Sequence, residues 1–302
     1  MVHPKLIELE KQFKPSPLTQ VFDPLLEYKK IELWIKRDDL IHPVISGNKW
    51  RKLKYILDHA LTIGSDTILS MGGAYSNHLH ALAFAGKQLE INTIAYVRGE
   101  MPESFNPTLQ DLHLWGMELR FISRTEYRQL RNYKGYSDLP GIQKGEYWLP
   151  EGGSSELALR GVGEIVSGCE IDFDIVCVPC GTGTTLAGLI TSEPKHCMVL
   201  GFSALKGAGF LTQDVEKLLS EINSPKTNWT VQLDYHFGGF AKCNNDLLLF
   251  IKQFFEKHGI ELEPVYTGKM FYGLLDLIQQ GYFEPGTKIL AIHTGGLQGN
   301  RK

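Results

Sequence analysis

The 302-residue chain has no run of one charge sign, no long apolar stretch and no regular cysteine framework. Each absence excludes something. Lysine and arginine are scattered along a chain of net charge −3, so the basic stripe of a nucleic-acid binder is missing. No apolar run approaches the ~18 residues of a membrane span. The amino-terminal stretch MVHPKLIELEK lacks a charged region followed by an apolar one, so no secretory signal is read and a cytoplasmic location is expected. Five cysteines are an odd number without disulfide-like spacing. Cys177 and Cys180 form a C-x-x-C, but no second pair accompanies them, and they end an apolar run. They read as small apolar residues on a buried strand rather than as a redox dithiol or half a zinc site.

At this length two domains are the better expectation than one enlarged core. Short β-branched runs at 31–35, 67–70, 93–97, 118–122, 175–178, 198–202 and 288–293 are strand candidates. Helix-like segments run between them at 50–63, 78–89, 108–115, 157–168, 184–190, 214–222, 245–258 and 270–278. The alternation predicts α/β architecture with parallel sheets covered by helices, in two units of about 50–125 and 157 to the end. The polar, tyrosine-rich stretch 124–148 reads as an irregular connection.

Ligands of open parallel sheets bind where strand ends lead into helix starts, and three such loops carry functional groups. After the strand at 67–70 comes MGGAYSNH (71–78), where Ser76, Asn77 and His78 supply hydroxyl, amide and imidazole at a helix start. After 175–178 comes PCGTGTTLAG (179–188). Its Gly181 and Gly183 admit unusual dihedrals, and Thr182, Thr184 and Thr185 add hydroxyls at a helix start, which together make a phosphate cradle. Neither the Walker nor the dinucleotide spacing is present, since Leu186 stands where a third glycine would be. After 288–293 comes TGGLQG, with Thr294 at the strand end and Gly295 in the turn. The stretch SGNKWRKL (46–53) places Lys49 at a helix opening beside Arg51 and Lys52; cationic neighbours and burial make such an amine available for Schiff-base chemistry. His78 and His80 form an H-x-H with no third ligand suggested, so no metal is expected. Asp38 and Asp39 read as folding the segment before Lys49, and His293 as a satisfied strand-end residue.

Taken in order, SGNKWRKL, GGAYSNH, CGTGTTLAG, VYTGK (265–269) and HTGG resemble the D-cysteine desulfhydrase and 1-aminocyclopropane-1-carboxylate (ACC) deaminase family, over nearly the whole chain. The resemblance implies an enzyme dependent on pyridoxal 5′-phosphate (PLP) with fold type II, like tryptophan synthase β. That fold has two open, twisted, mainly parallel sheets with helices on both faces. A large PLP-binding domain would comprise 1–50 and 150–302, and a small α/β domain 51–149, with the active site in the cleft between them and a homodimer as the assembly. By position, Lys49 would carry PLP as a Schiff base and move the Cα proton. Lys52 and the loop Cys180, Gly181, Thr182, Gly183, Thr184 and Thr185 would hold the phosphate, and Asn77 the phenolic oxygen. Ser76, Asn77, His78, Tyr266 and Gly295 would meet the substrate, with Lys49, Ser76 and Tyr266 counted as catalytic. Thr267 or Thr294 would face the pyridine nitrogen.

Three departures bear on the substrate. ACC deaminases have Glu where this chain has Thr267, Gln where it has His78, and a second tyrosine near the position of Phe240. A neutral hydroxyl at the pyridine nitrogen weakens the electron sink, which suffices when a thiolate leaves. The expectation is therefore α,β-elimination from a D-amino acid, D-cysteine foremost, giving pyruvate, ammonia and sulfide. ACC ring opening to 2-oxobutanoate and ammonia is the alternative. A non-catalytic phosphate-ligand binder using the same Gly-Thr loop is the reading from another class.

Overall fold

The apolar periodicities resolve into alternating strands and helices in the computed structural model, which describes residues 2–193, 196–224 and 226–301. The chain opens with α1 (Pro4–Glu10), β1 (Leu18–Val21), α2 (Pro24–Lys29), β2 (Glu32–Lys36) and α3 (Asn48–Thr62). Then come β3 (Thr67–Gly72), α4 (Asn77–Leu89), β4 (Asn92–Arg98), α5 (Pro107–Leu114), β5 (Glu118–Ile122), α6 (Arg124–Leu130) and β6 (Glu146–Leu149). The second half contains α7 (Glu156–Gly163), β7 (Ile175–Cys180), α8 (Thr184–Ser192), β8 (Met198–Ser203), α9 (Phe210–Glu221) and β9 (Trp229–Gln232). It closes with α10 (Asn245–His258), α11 (Thr267–Gln280) and β10 (Lys288–Ile292). Local chemistry sets several boundaries. Asn244 caps α10 by accepting from the Leu247 N–H, and Gly259 stops it in the left-handed conformation. Asn106 does the same for α5, with Pro107 at the first helical position.

Two compact units result. Unit 1 comprises Met1–Pro15, Ile41–Gly161 and Gln298–Lys302; unit 2 comprises Ser16–Leu40 and Val162–Leu297. Unit 1 holds a wholly parallel sheet in the order β5-β4-β3-β6. Its main core includes Leu6, Leu9, Ile41, Ile45 and Trp50 together with residues of α3, α4 and α5. Those first five residues explain why unit 1 starts before residue 51: the segments 1–15 and 41–50 supply apolar side chains to its core, so Lys49 belongs with Ser76–His78. Unit 2 holds six strands in the order β1-β2-β10-β7-β8-β9, parallel except for β1 against β2. Its core runs from Leu33 and Ile35 through Phe271 and Leu274 to Ile289.

The stretch 124–148 is not the irregular connection its composition suggests. A capping box nucleates α6, with the Ser123 hydroxyl taking the Glu126 N–H and the Glu126 carboxylate taking the Ser123 N–H. The short β6 pairs in parallel with β3 and buries Tyr147, Trp148 and Leu149. Cys177 and Cys180 lie buried on β7, where burial pushes the Cys177 thiol well above its ordinary pKa. No described helix is long and apolar enough to cross a membrane.

Candidate active site

Unit 1 gathers five of the expected residues around the starts of α3 and α4. Gly47, at φ 66° and ψ −153°, is the cap of α3, a backbone geometry suited to glycine. Lys49 and Lys52 follow on one helical face, three residues apart. The Lys49 ammonium donates to Asn48 Oδ1 at 2.8 Å, while Lys52 is buried and its Nζ reaches the Gly152 carbonyl at 3.5 Å. Strand β3 ends at Gly72, where a Cβ would stand 2.7 Å from Ser76 Oγ, so only glycine lets the turn close. Ser76 then caps α4 by accepting from the Leu79 N–H.

His78 sits behind this turn, fully enclosed. Ser70 Oγ donates its one proton to the Leu149 carbonyl at 2.8 Å, so at 2.9 Å it must accept from His78 Nε2–H. The imidazole is neutral: burial, then Lys49 and Lys52, hold its pKa at about 3. His78 Nδ1 is therefore a buried lone pair with no hydrogen-bond partner. His80 points elsewhere, to Asp111 Oδ2 at 2.9 Å, and Arg301 bonds the same carboxylate at 2.5 Å. Asn77 Oδ1 accepts from Gln298 Nε2 at 2.7 Å, which turns the Asn77 amino group the other way.

Unit 2 builds the second set. Strand β7 runs into the loop 181–183 and α8, whose cap Gly183 is left-handed (φ 75°) and offers no side chain to the first amides of the helix. The Thr182 and Thr184 hydroxyls lie 3.0 Å apart. Tyr266 lies over Gly181: a Cβ there would meet the ring at 3.2 Å. Phe240 approaches the same ring edge-on at 5.9 Å between centroids. Thr267 is fully buried. Its hydroxyl accepts from the Glu263 N–H and donates to Glu263 Oε1, each at 3.1 Å. The Glu263 carboxylate accepts the N–H groups of Val265, Tyr266 and Thr267, closing the start of α11. Burial raises the Glu263 pKa against the pull of these donors. Thr294 follows β10, and among the described residues its hydroxyl has no protein hydrogen bond. His293 is satisfied, donating from Nε2 to the Glu261 carbonyl at 2.7 Å and accepting from the Gly295 N–H. Asp39 is held bidentately by Arg37.

Sequence reasoning did not single out Ser70, Gln298, Glu263 or Lys269. The Lys269 side chain is buried and donates to the Gly239 carbonyl at 2.8 Å, and burial lowers its pKa to about 8. It thereby fixes the loop that carries Phe240. Two of these four lay inside stretches that had been read for chemistry, Lys269 in VYTGK and Gln298 in TGGLQG.

The features present fit a phosphorylated aldehyde cofactor. A helix start with a glycine cap and two threonines suits a phosphate; an uncapped lysine-bearing helix start and an unpartnered buried acceptor lie in the other unit. The family model described as "Pyridoxal-phosphate dependent enzyme" matches residues 10–295. The chain is 33% identical to a Pyrococcus horikoshii protein named "Putative 1-aminocyclopropane-1-carboxylate deaminase", over 99% of this chain and 96% of that one. It is 31% identical to the mitochondrial bifunctional D-cysteine desulfhydrase/1-aminocyclopropane-1-carboxylate deaminase of Arabidopsis thaliana, over 89% of this chain and 73% of that one. A solved structure of an ACC deaminase homologue superposes with a TM-score of 0.80 at 30% identity, covering 99% and 97% of the two chains. The chain belongs to the pyridoxal-phosphate dependent enzymes, and its fold is the type II fold of that family.

Proposed function

We propose that the protein is a PLP-dependent lyase that removes the β-substituent from a D-amino acid, D-cysteine foremost, releasing pyruvate, ammonia and sulfide. The observation that carries the choice of reaction is at Thr267. This position holds no carboxylate, and its hydroxyl is committed to Glu263 within the start of α11. Of the two threonines that could serve the pyridine nitrogen, Thr294 alone keeps a free hydroxyl among the described residues. A neutral partner leaves that nitrogen largely unprotonated.

In this reading Lys49 holds the cofactor's carbonyl carbon, Lys52 and the loop Cys180–Thr185 its phosphate, and the amino group of Asn77 its phenolic oxygen. When bound, PLP supplies an electron sink for the charge left at Cα. The remaining work falls to the side chains. The Lys49 amine takes the Cα proton. Ser76, Asn77 and Gly295 bind the substrate carboxylate, where the start of α4 favours an anion. Neutral His78, fixed by Ser70 behind the turn, borders the substrate loop without adding positive charge to it. Tyr266, packed between Gly181 and Phe240, borders the departing group. We further propose that the enzyme acts as a cytoplasmic homodimer, which light scattering on the purified protein would test.

Similarity to the ACC deaminase homologue keeps ring opening as the second reading. Pyruvate and 2-oxobutanoate release measured across D-cysteine, L-cysteine, D-serine and ACC decides between them. Turnover of D-cysteine, lost with the visible PLP absorption in Lys49→Ala, is expected. Turnover of ACC without D-cysteine would refute the elimination reading.

A further inference from the structure

Unit 1 carries a second concentration of charge that the proposed reaction does not use. Four arginines, Arg98, Arg124, Arg128 and Arg131, line one pocket of about 360 Å³ around Tyr127. The pocket lies where ligands of parallel sheets are found. Arg98 is the last residue of β4, Arg124 follows the end of β5 by two residues, and Glu151 follows the end of β6 by two. All three strands run parallel with β3.

The site is built on a rigid platform. Tyr127 is buried, and its hydroxyl donates to Glu151 Oε1 at 2.6 Å. Arg131 Nε donates to the other Glu151 oxygen at 2.6 Å. The Arg98 and Arg131 guanidinium groups stand 5.5 and 5.4 Å from the centre of the Tyr127 ring. Glu151 is the one carboxylate in ion-pair contact with the four arginines; among the described residues Arg98, Arg124 and Arg128 have none. Arg124 and Arg128 are four apart on one short helix, an arrangement that repels unless an anion sits between them. The nearest acid on that helix, Glu126, is held by the Ser123 amide. Such an excess of guanidinium in a chain of net charge −3 is local, not a property of the surface as a whole.

We propose that this pocket binds a compact anion carrying at least two phosphoryl charges, a small bisphosphate or pyrophosphate-type metabolite. Planar guanidinium forks match phosphoryl oxygens two at a time, and the concavity takes a small molecule rather than a polymer. The pocket adjoins the substrate loop of the same unit: Arg98 Nη2 lies 3.8 Å from the point where a Cβ on Gly73 would stand. An occupant held by Arg98 therefore borders the turn that presents Ser76, Asn77 and His78.

The test is calorimetric titration of inorganic pyrophosphate into PLP-loaded enzyme at low ionic strength, so that the cofactor's own phosphate site is filled. Saturable binding is expected. The exposed double substitution Arg124→Gln/Arg128→Gln should weaken it by at least about tenfold, since each guanidinium contributes a charge-assisted hydrogen bond. Arg120→Gln, whose guanidinium is paired with Glu118 on β5, should leave it unchanged. Absence of saturable binding, or equal affinity in the double variant, would overturn the proposal. Its failure would leave PLP binding through Lys49 untouched, because that is read separately in the visible absorption.

Discussion

Gly161→Ala offers a test in which two familiar effects have opposite signs. Gly161 lies inside α7, where replacing glycine by alanine in an unconstrained helix stabilises by about 1 kcal/mol. Here the added Cβ would stand 1.9 Å from the Arg51 carbonyl oxygen and 3.0 Å from its carbon. A carbon–oxygen contact needs about 3.3 Å, so the two helices must part by roughly 1.4 Å along that line. The obstacle is backbone and cannot swing aside as a side-chain tip could. Overpacking of this kind costs about 1–3 kcal/mol, and a backbone clash belongs at the upper end. Subtracting the propensity gain leaves a net loss of roughly 2 kcal/mol. In a unit of this size that lowers Tm by about 4–8 °C. Arg51 stands between Lys49 and Lys52, so the same displacement should weaken PLP binding. Circular dichroism melting and PLP titration read both effects. Gly209→Ala is the control, since its Cβ would meet nothing within 4 Å and its φ of −55° is ordinary. A Gly161→Ala protein as stable as the parent, or more so, would refute the reasoning.

Three further outcomes are expected. In Gln298→Glu the new carboxylate accepts from the Asn77 amino group, turning Oδ1 toward the cofactor's phenolic oxygen. PLP affinity should then fall about tenfold or more and the visible band shift, while Gln298→Met, which merely releases the amide, does less; a parental spectrum and affinity in Gln298→Glu would sink the assignment of Asn77. The pKa of His78 is about 3 in the folded protein against 6.5 for the free side chain. Between those values the unfolded chain binds the extra proton, so stability is present above pH 6.5 and is lost as pH falls toward 3. His78 alone removes roughly 1.6 kcal/mol between pH 6.5 and 5. Urea unfolding at the two pH values should show that much less change in His78→Gln, and identical pH dependence would contradict the buried neutral imidazole. Thr267→Val leaves the buried Glu263 amide and carboxylate each short of a partner, a loss of about 2 kcal/mol, with the PLP spectrum little altered. A shifted spectrum at unchanged stability would assign the pyridine nitrogen to Thr267 instead.

Much of the strand and helix order could be read in advance because it depends on local periodicity: β5 and α10 occupy the expected residues, 118–122 and 245–258. The short elements could not. Strand β6 is four residues long, and nothing in its own composition outweighs the polar tyrosine-rich stretch around it; it exists because β3 offers it an edge and a place to bury Trp148. Domain limits failed for a related reason. Leu6, Leu9, Ile41 and Ile45 look like any scattered apolar residues until the core they enter is seen.

The candidate site was legible to the extent that its parts are glycines, helix starts and a motif-bound lysine, whose positions obey local rules. What those groups bond to is a matter of contacts between distant residues. Thr267 illustrates the limit. Its place after Tyr266 invited a cofactor role, yet a buried hydroxyl at a helix start has a nearer claimant, the Glu263 carboxylate four residues earlier. A capping box puts its acid three residues after the cap, so a glutamate ahead of the helix gave no recognisable signal. Asn77 is the counterpart. The family resemblance was enough to suggest a hydrogen bond to a phenolic oxygen, but an amide can present either end. Gln298, 221 residues away in sequence, selects the end. The chemistry of each group therefore rests on a partner elsewhere in its own unit: Ser70 for the His78 tautomer, Gln298 for the Asn77 amide, and Glu263 for the Thr267 hydroxyl.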